Sequence, residues 1–293
     1  MSKSRVALLG LGIMGTGMAG RLLGAGFPLA IYNRSKEKTQ PFAKDGAAIA
    51  NTPREAAAGA NIIISMVADD VASRSVWLGE NGALAGATAN TVLIEASTLT
   101  VGWIKELAAA AAKHNCELLD APVTGTKPHA AAGELVFLVG GSEKAVEIAR
   151  PVLSVLGREI NHLGPTGSGS MMKLINNFVC GVQAASMAEA VSMIQASGLN
   201  REKAVSILSN GAPGSPLVKA VVTRTSTKDP TVNFTLRLMA KDVGYAISEG
   251  AHENIDLQTA AGALTVLKKA IAAGYGERDF SAVLESNASV RTQ

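Results

Sequence analysis

The sequence predicts an α/β fold: a doubly wound, mostly parallel sheet over residues 1–163, followed by an all-helical domain over residues 164–293. Three observations carry this. Short β-branched or leucine-rich runs alternate with longer alanine-rich stretches in the first half. The strand-like runs cease near Gly164. At 293 residues the chain is also too long for one ordinary core. The predicted strands lie at 6–9, 29–32, 62–67, 92–94, 117–119 and 135–139. Their apolarity is continuous rather than alternating, so both faces of the sheet should be covered. Helices are expected between them, at 14–25, 36–44 and 101–113 among others. Beyond Gly164, residues 171–197 are apolar nearly all round without a proline, which predicts a long helix buried on most sides. More helices are predicted at 201–209, 217–225, 236–249 and 257–273, with Pro213-Gly-Ser-Pro216 as a loop.

Composition removes several function classes. Apolar residues make up 47% and charged residues 17%, which excludes a disordered chain. The net charge of +3 gives no support for nucleic-acid binding. The two cysteines, Cys116 and Cys180, cannot build a disulfide framework. The four histidines, His114, His129, His162 and His252, lack metal-ligand spacing, so no metal is expected. The most apolar stretch is broken by Lys173, Asn176, Asn177, Gln183 and Glu189, so no membrane span is expected either. With core-strand residues beginning at Arg5-Val-Ala-Leu-Leu9 and no signal peptide visible, a cytoplasmic protein is expected.

Gly10-Leu-Gly12-Ile13-Met14-Gly15 follows the first strand and opens a helix. This is G-x-G-x-x-G in the context that gives it meaning, a Rossmann-type dinucleotide turn. The first glycine allows the tight turn, the second lets backbone approach a pyrophosphate, and the third permits close helix–strand packing. The second strand ends at Tyr32-Asn33-Arg34-Ser35, where an NAD enzyme places a carboxylate on the ribose 2′-OH. Here stand Asn33 and Arg34, with Ser35 beside them and Lys38 four residues beyond Arg34. A guanidinium grips a 2′-phosphate with a planar fork, so the expected cofactor is NADP. A solvated arginine at a strand end is the plainer alternative.

Four ordered segments resemble the β-hydroxyacid dehydrogenase family, whose members include 3-hydroxyisobutyrate dehydrogenases, tartronate semialdehyde reductases and glyoxylate/succinic semialdehyde reductases. They are residues 10–33, Asp120-Ala-Pro-Val-Thr-Gly-Thr-Lys-Pro128, Gly167-Ser-Gly-Ser-Met-Met-Lys-Leu-Ile-Asn-Asn177, and Lys241-Asp242. The resemblance covers essentially the whole chain. It implies that Lys173 and Asn177 are catalytic. The chemistry of Lys173 agrees with that. An ammonium in so apolar a helix should meet a polar cavity. Burial lowers a lysine's pKa toward neutrality, and a carbonyl reduced by hydride needs a proton and a partner for its developing negative charge. Asn177, four residues later on the same helical face, can hold the geometry.

The same resemblance assigns the remaining site residues. Thr124-Gly125-Thr126 matches the family's Ser-Gly-Gly or Ser-Gly-Ser turn, which binds the substrate carboxylate. The two threonines keep the hydroxyls, but their methyls narrow the pocket. Lys127 either supports an anion or faces water. Thr98 is placed near nicotinamide and substrate, and Val67 and Ala68 line the cofactor by backbone. Phe234 and Asp242 fall at substrate positions. Lys241 closes over the nucleotide, or belongs to an ordinary surface ion pair; Asp242 orients Lys241 or Lys173. Thr124-Gly-Thr-Lys-Pro128 and Asp279-Phe-Ser-Ala-Val283 look closest to the glyoxylate/succinic semialdehyde reductase branch.

The expected activity is therefore NADP(H)-dependent reduction of a small carboxylate-bearing aldehyde. The expected assembly is a homo-oligomer, dimer or tetramer, because so alanine-rich a helical domain should expose apolar surface as a monomer. The rivals are a 3-hydroxyisobutyrate or tartronate semialdehyde enzyme, an imine reductase, disfavoured by Lys173, and an inert cofactor-binding oligomerisation module, disfavoured by retention of Lys173 and Asn177.

Overall fold

The computed structural model describes residues 3–286. Among the described residues there are nine strands: β1 (Val6–Leu9), β2 (Leu29–Tyr32), β3 (Ala48–Ile49), β4 (Ile62–Ser65), β5 (Val92–Glu95), β6 (Glu117–Asp120), β7 (Val123–Thr124), β8 (Leu135–Gly140) and β9 (Gly157–Gly164). They form one sheet in the order β3-β2-β1-β4-β5-β6-β8-β7, with β9 on β8. From β3 to β6 all pairs are parallel, β8 is antiparallel to β6 and β7, and β9 is parallel to β8. The order reverses between β1 and β4, and ligands of open α/β sheets gather at such a switch point.

The helices between the strands are α1 (Ile13–Gly24), α2 (Gln40–Lys44), α3 (Pro53–Ala57), α4 (Asp70–Trp77), α5 (Val101–Lys113), α6 (Lys127–Ala132) and α7 (Glu143–Leu156). Then follow α8 (Ser168–Ala196), α9 (Arg201–Asn210), α10 (Pro216–Thr227), α11 (Leu236–His252), α12 (Gln258–Ala270) and α13 (Val283–Ser286).

The continuous apolarity of the strands has the predicted consequence. Val6, Leu8, Ile62, Ile64, Val92 and Ile94 enter one core, while Ala7, Leu9, Ile63 and Leu93 enter another on the opposite face. A third core lies among α8 and the helices that follow it, built on Val191, Met239, Val243 and Leu267. The chain divides into two compact units, Met1–Lys173 and Leu174–Gln293. The first turns of α8 group with the sheet because they are hydrogen-bonded to the end of β6.

Some elements differ from the sequence reading. The helix expected over residues 36–44 is a 3-10 turn, Lys36–Thr39, followed by α2. Pro41 lies in the first turn of α2, where its missing N–H costs nothing but restarts the helix. The helix expected to reach 273 ends in a wide π turn, Ile271–Tyr275, where Gly274 has φ +92°. Strands β3, β7 and β9 were not among the predicted ones; β3 and β7 are only two residues long, and half of the residues of β9 are exposed. Helix α8 is less enclosed than expected. Met172, Ile175 and Val179, at helical spacing, are 38%, 42% and 42% exposed, and Met193 is 74% exposed. Among the described residues, no helix is long and apolar enough to cross a membrane.

Candidate active site

The glycine turn has the geometry its sequence requires. Gly10 has φ +105°, and a Cβ there would overlap the carbonyl oxygen of Met66. A Cβ on Gly15 would overlap the carbonyl oxygen of Gly10. A Cβ on Gly12 would meet nothing within 4 Å. The turn is therefore closed at Gly10 and Gly15 and open at Gly12, which suits approach of a pyrophosphate. Ile13 and Met14, half-buried, begin α1, whose first turn carries no acidic residue to oppose an anion.

Asn33 ties the turn to the end of β2. Its Oδ1 accepts from the Leu11 N–H at 2.8 Å, and its Nδ2 donates to the Ser35 carbonyl at 2.8 Å. With its amide spent on backbone, Asn33 fixes the turn. Arg34 and Lys38 are exposed, and among the described residues neither side chain has an ion pair or hydrogen bond. Lys36, not singled out in the sequence, donates to Asn51 Oδ1 at 2.8 Å.

The strand ends beside the turn are held by a buried carboxylate that sequence reading missed. Glu95, at the end of β5, is fully buried. Its oxygens accept from Ser73 Oγ at 2.6 Å, Trp77 Nε1 at 2.8 Å and the Ser97 N–H at 3.0 Å. Ser97 Oγ in turn accepts from the Val67 N–H at 2.8 Å. Burial pushes the Glu95 carboxyl up from its ordinary 4.5, against the pull of these hydrogen bonds. Val67 thus has its N–H engaged, Ala68 is exposed, and Thr98 sits half-buried just after Ser97.

In the expected carboxylate turn, Gly125 has φ +133° and a Cβ there would press on Leu135 and His129. Thr124 and Thr126 are half-buried and Lys127 is exposed. His129 Nδ1 accepts from the Thr126 N–H at 3.1 Å and lies 2.7 Å from its Oγ1. His129 thus shapes this turn, a role its sequence position alone did not reveal.

Helix α8 carries Lys173, half-buried, and Asn177, 4% exposed. Asn177 Nδ2 donates to Asp242 Oδ2 at 2.6 Å. Asp242 is wholly buried, and Lys241 Nζ lies 2.9 Å from its Oδ1 and 4.6 Å over the Tyr245 ring. Lys241, one of the partners expected for Asp242, is in contact with it, and Asn177 joins it. Phe234 packs edge-on against Phe280, with ring centroids 6.1 Å apart. Its segment is held by Asp279, which accepts from the Asn233 N–H at 3.0 Å and pairs with Arg224 Nε at 3.2 Å. The Asp279-Phe-Ser-Ala-Val283 signature therefore supports the Phe234 segment through Asp279.

Comparison with known proteins sorts these parts. Residues 5–164 match the NAD binding domain of 6-phosphogluconate dehydrogenase. Residues 167–286 match the NAD-binding domain of NADP-dependent 3-hydroxyisobutyrate dehydrogenase. The chain belongs to the β-hydroxyacid dehydrogenase family. It is an oxidoreductase that takes a nicotinamide cofactor. It is 33% identical to an NAD-dependent L-serine dehydrogenase of Pseudomonas aeruginosa, over 95% of this chain and 96% of that one. It is 32% identical to the chloroplastic glyoxylate/succinic semialdehyde reductase 2 of Arabidopsis thaliana, over 96% of this chain and 78% of that one. Among solved structures, a 3-hydroxyisobutyrate dehydrogenase of Mycobacterium tuberculosis with L-serine aligns with TM-score 0.87 and 31% identity, covering 97% and 99% of the two chains.

Proposed function

We propose that this enzyme reduces small carboxylate-bearing aldehydes, glyoxylate and succinic semialdehyde first among them, using NADPH. The observation that carries the chemistry is the spacing of Lys173 and Asn177 on α8, with Asn177 held by the buried Asp242. Nicotinamide supplies the hydride when bound. The Lys173 ammonium gives its proton to the carbonyl oxygen and is left as the neutral amine, and Asn177 keeps the geometry. Thr124, Gly125 and Thr126 receive the substrate carboxylate, with Thr98, Phe234 and Asp242 bounding the substrate. Gly10, Gly12 and Gly15, with Ile13 and Met14, cradle the pyrophosphate. Asn33 and Ser35 shape the ribose end, Val67, Ala68 and Lys241 line the nucleotide, and Arg34 with Lys38 takes the 2′-phosphate. Arg34, exposed and without an ion-pair partner among the described residues, supports NADP, since a guanidinium not engaged by a carboxylate is available to a phosphate.

One observation favours a second reading. The L-serine dehydrogenase relative is NAD-dependent, so an NAD-linked oxidation of a hydroxyacid such as L-serine is the competitor. Initial rates with glyoxylate, succinic semialdehyde, tartronate semialdehyde and methylmalonate semialdehyde, each with NADPH and NADH, and the reverse reaction with L-serine, decide between them. A strong NADH preference would overturn the NADP assignment. The exposed Met172, Ile175 and Val179 on α8 support a homo-oligomer, which light scattering of the purified protein tests.

A further inference from the structure

Asp120 lies in the segment expected to bind substrate, yet its side chain faces elsewhere. It ends β6 and is wholly buried. Its Oδ1 accepts from the Gly167 N–H at 2.7 Å and its Oδ2 from the Ser170 N–H at 2.8 Å. Gly167 directly precedes α8 and Ser170 belongs to its first turn. The N–H groups there have no intrahelical acceptor, and they form the positive end of the helix dipole. One carboxylate satisfies two of them and meets that positive end with a negative charge.

The seat around this contact has no slack. A Cβ on Gly169 would overlap the carbonyl oxygens of Leu138 and Asp120, and a Cβ on Gly140 would overlap Asp120 Oδ1. The first turn of α8 is thus pressed on the ends of β6 and β8 and fastened by one side chain. Lys173 stands three residues beyond Ser170 in the same helix, one turn from the fastening. Burial pushes the Asp120 carboxyl up, and the Gly167 and Ser170 donors oppose that.

We propose that Asp120 is the positioning residue for Lys173, anchoring the first turn of α8 to β6 so that the amine is held in its reacting place. This rests on the reading of Lys173 as proton donor. Asp120 also sets the field at the helix start. Without its negative charge, the bare positive end of α8 favours loss of the Lys173 proton.

The test uses the full-length enzyme with Asp120→Asn and Asp120→Ala, each alone and combined with Lys173→Ala. Asp120→Ala should lower kcat at least about tenfold, because small displacements of a reacting group are costly, while NADPH affinity stays within about twofold. Asp120→Asn keeps one acceptor oxygen and should recover part of the loss. Its alkaline limb of kcat should move to lower pH, which a purely structural weakening would not produce. In the Lys173→Ala background the same substitution should change kcat by less than about twofold, since residues acting as a unit are not additive. Equal fold-losses in both backgrounds, or a wild-type kcat and pH limb in Asp120→Asn, would overturn the assignment. If Asp120→Ala does not fold, Asp120→Asn carries both readouts. A wild-type kcat in Lys173→Ala alone would refute the proton-donor reading beneath the proposal, an outcome distinct from additive losses.

Discussion

The two compact units hold their candidate site residues with different material. In the first, the nucleotide turn is backbone: three glycines, a strand end and the start of a helix. In the second, a network of side chains joins Asn177, Asp242, Lys241 and Tyr245, with Asn177 and Asp242 65 positions apart in sequence. A backbone site needs glycine where a Cβ would collide, so it leaves a spacing that can be read directly. A side-chain network needs only that folding bring its members together, and leaves no spacing of its own.

That contrast can be broken most severely at the glycines. Gly15→Ala drives a methyl into the Gly10 carbonyl and should destabilise the protein by roughly 3 kcal/mol, the upper range for overpacking, as read from urea unfolding. Gly12→Ala meets open space, so its unfolding midpoint should match wild type. Its NADPH affinity, by fluorescence titration, should nonetheless fall by about tenfold or more, because the methyl stands where the pyrophosphate approaches. Equal stability loss in both would show that the turn is merely a packed bend.

In the second unit, Asp242→Ala strands the Asn177 amide in the interior. Stability should fall by roughly 2 kcal/mol, the usual cost of an orphaned buried donor, and kcat should fall with it. A kcat loss without any change in unfolding would mean that Asp242 acts on substrate rather than on its neighbours. Smaller again is Arg34→Ala, which should move the NADPH-to-NADH ratio of kcat/KM about tenfold toward NADH, close to 1.4 kcal/mol.

A pH-dependent effect concerns Glu95. Folding raises its pKa, so the folded state holds the proton more tightly than the unfolded chain does. The stabilisation is full below the ordinary 4.5 and is lost as pH rises through the folded value. Wild type should therefore lose stability relative to Glu95→Gln as pH rises through that window. Urea unfolding of both proteins across the window measures the difference. A gain by wild type over the same window would show that the hydrogen bonds from Ser73, Trp77 and Ser97 outweigh burial.

Legibility follows the same division. Strands β1, β2, β4, β5, β6 and β8 were visible because two-sided burial demands unbroken apolarity, and Val6–Leu9 alternates between the two cores residue by residue. Strand β9 was invisible because Arg158, Glu159 and His162 leave no apolar run. The glycine turn could be read to the residue. Asp120 and Glu95 could not. A carboxylate closing an apolar strand reads as the start of a loop, and only the fold reveals that each takes backbone N–H groups in the interior. His129 was similarly opaque, since its bond to Thr126 depends on the turn at Gly125.

The proposed reduction depends on Lys173 as the source of the proton. The most direct measurement is kcat for aldehyde reduction by Lys173→Ala under saturating NADPH, with nucleotide binding measured in parallel. A fall of at least about 10²-fold with NADPH affinity nearly intact is the predicted result. An unchanged kcat would contradict it.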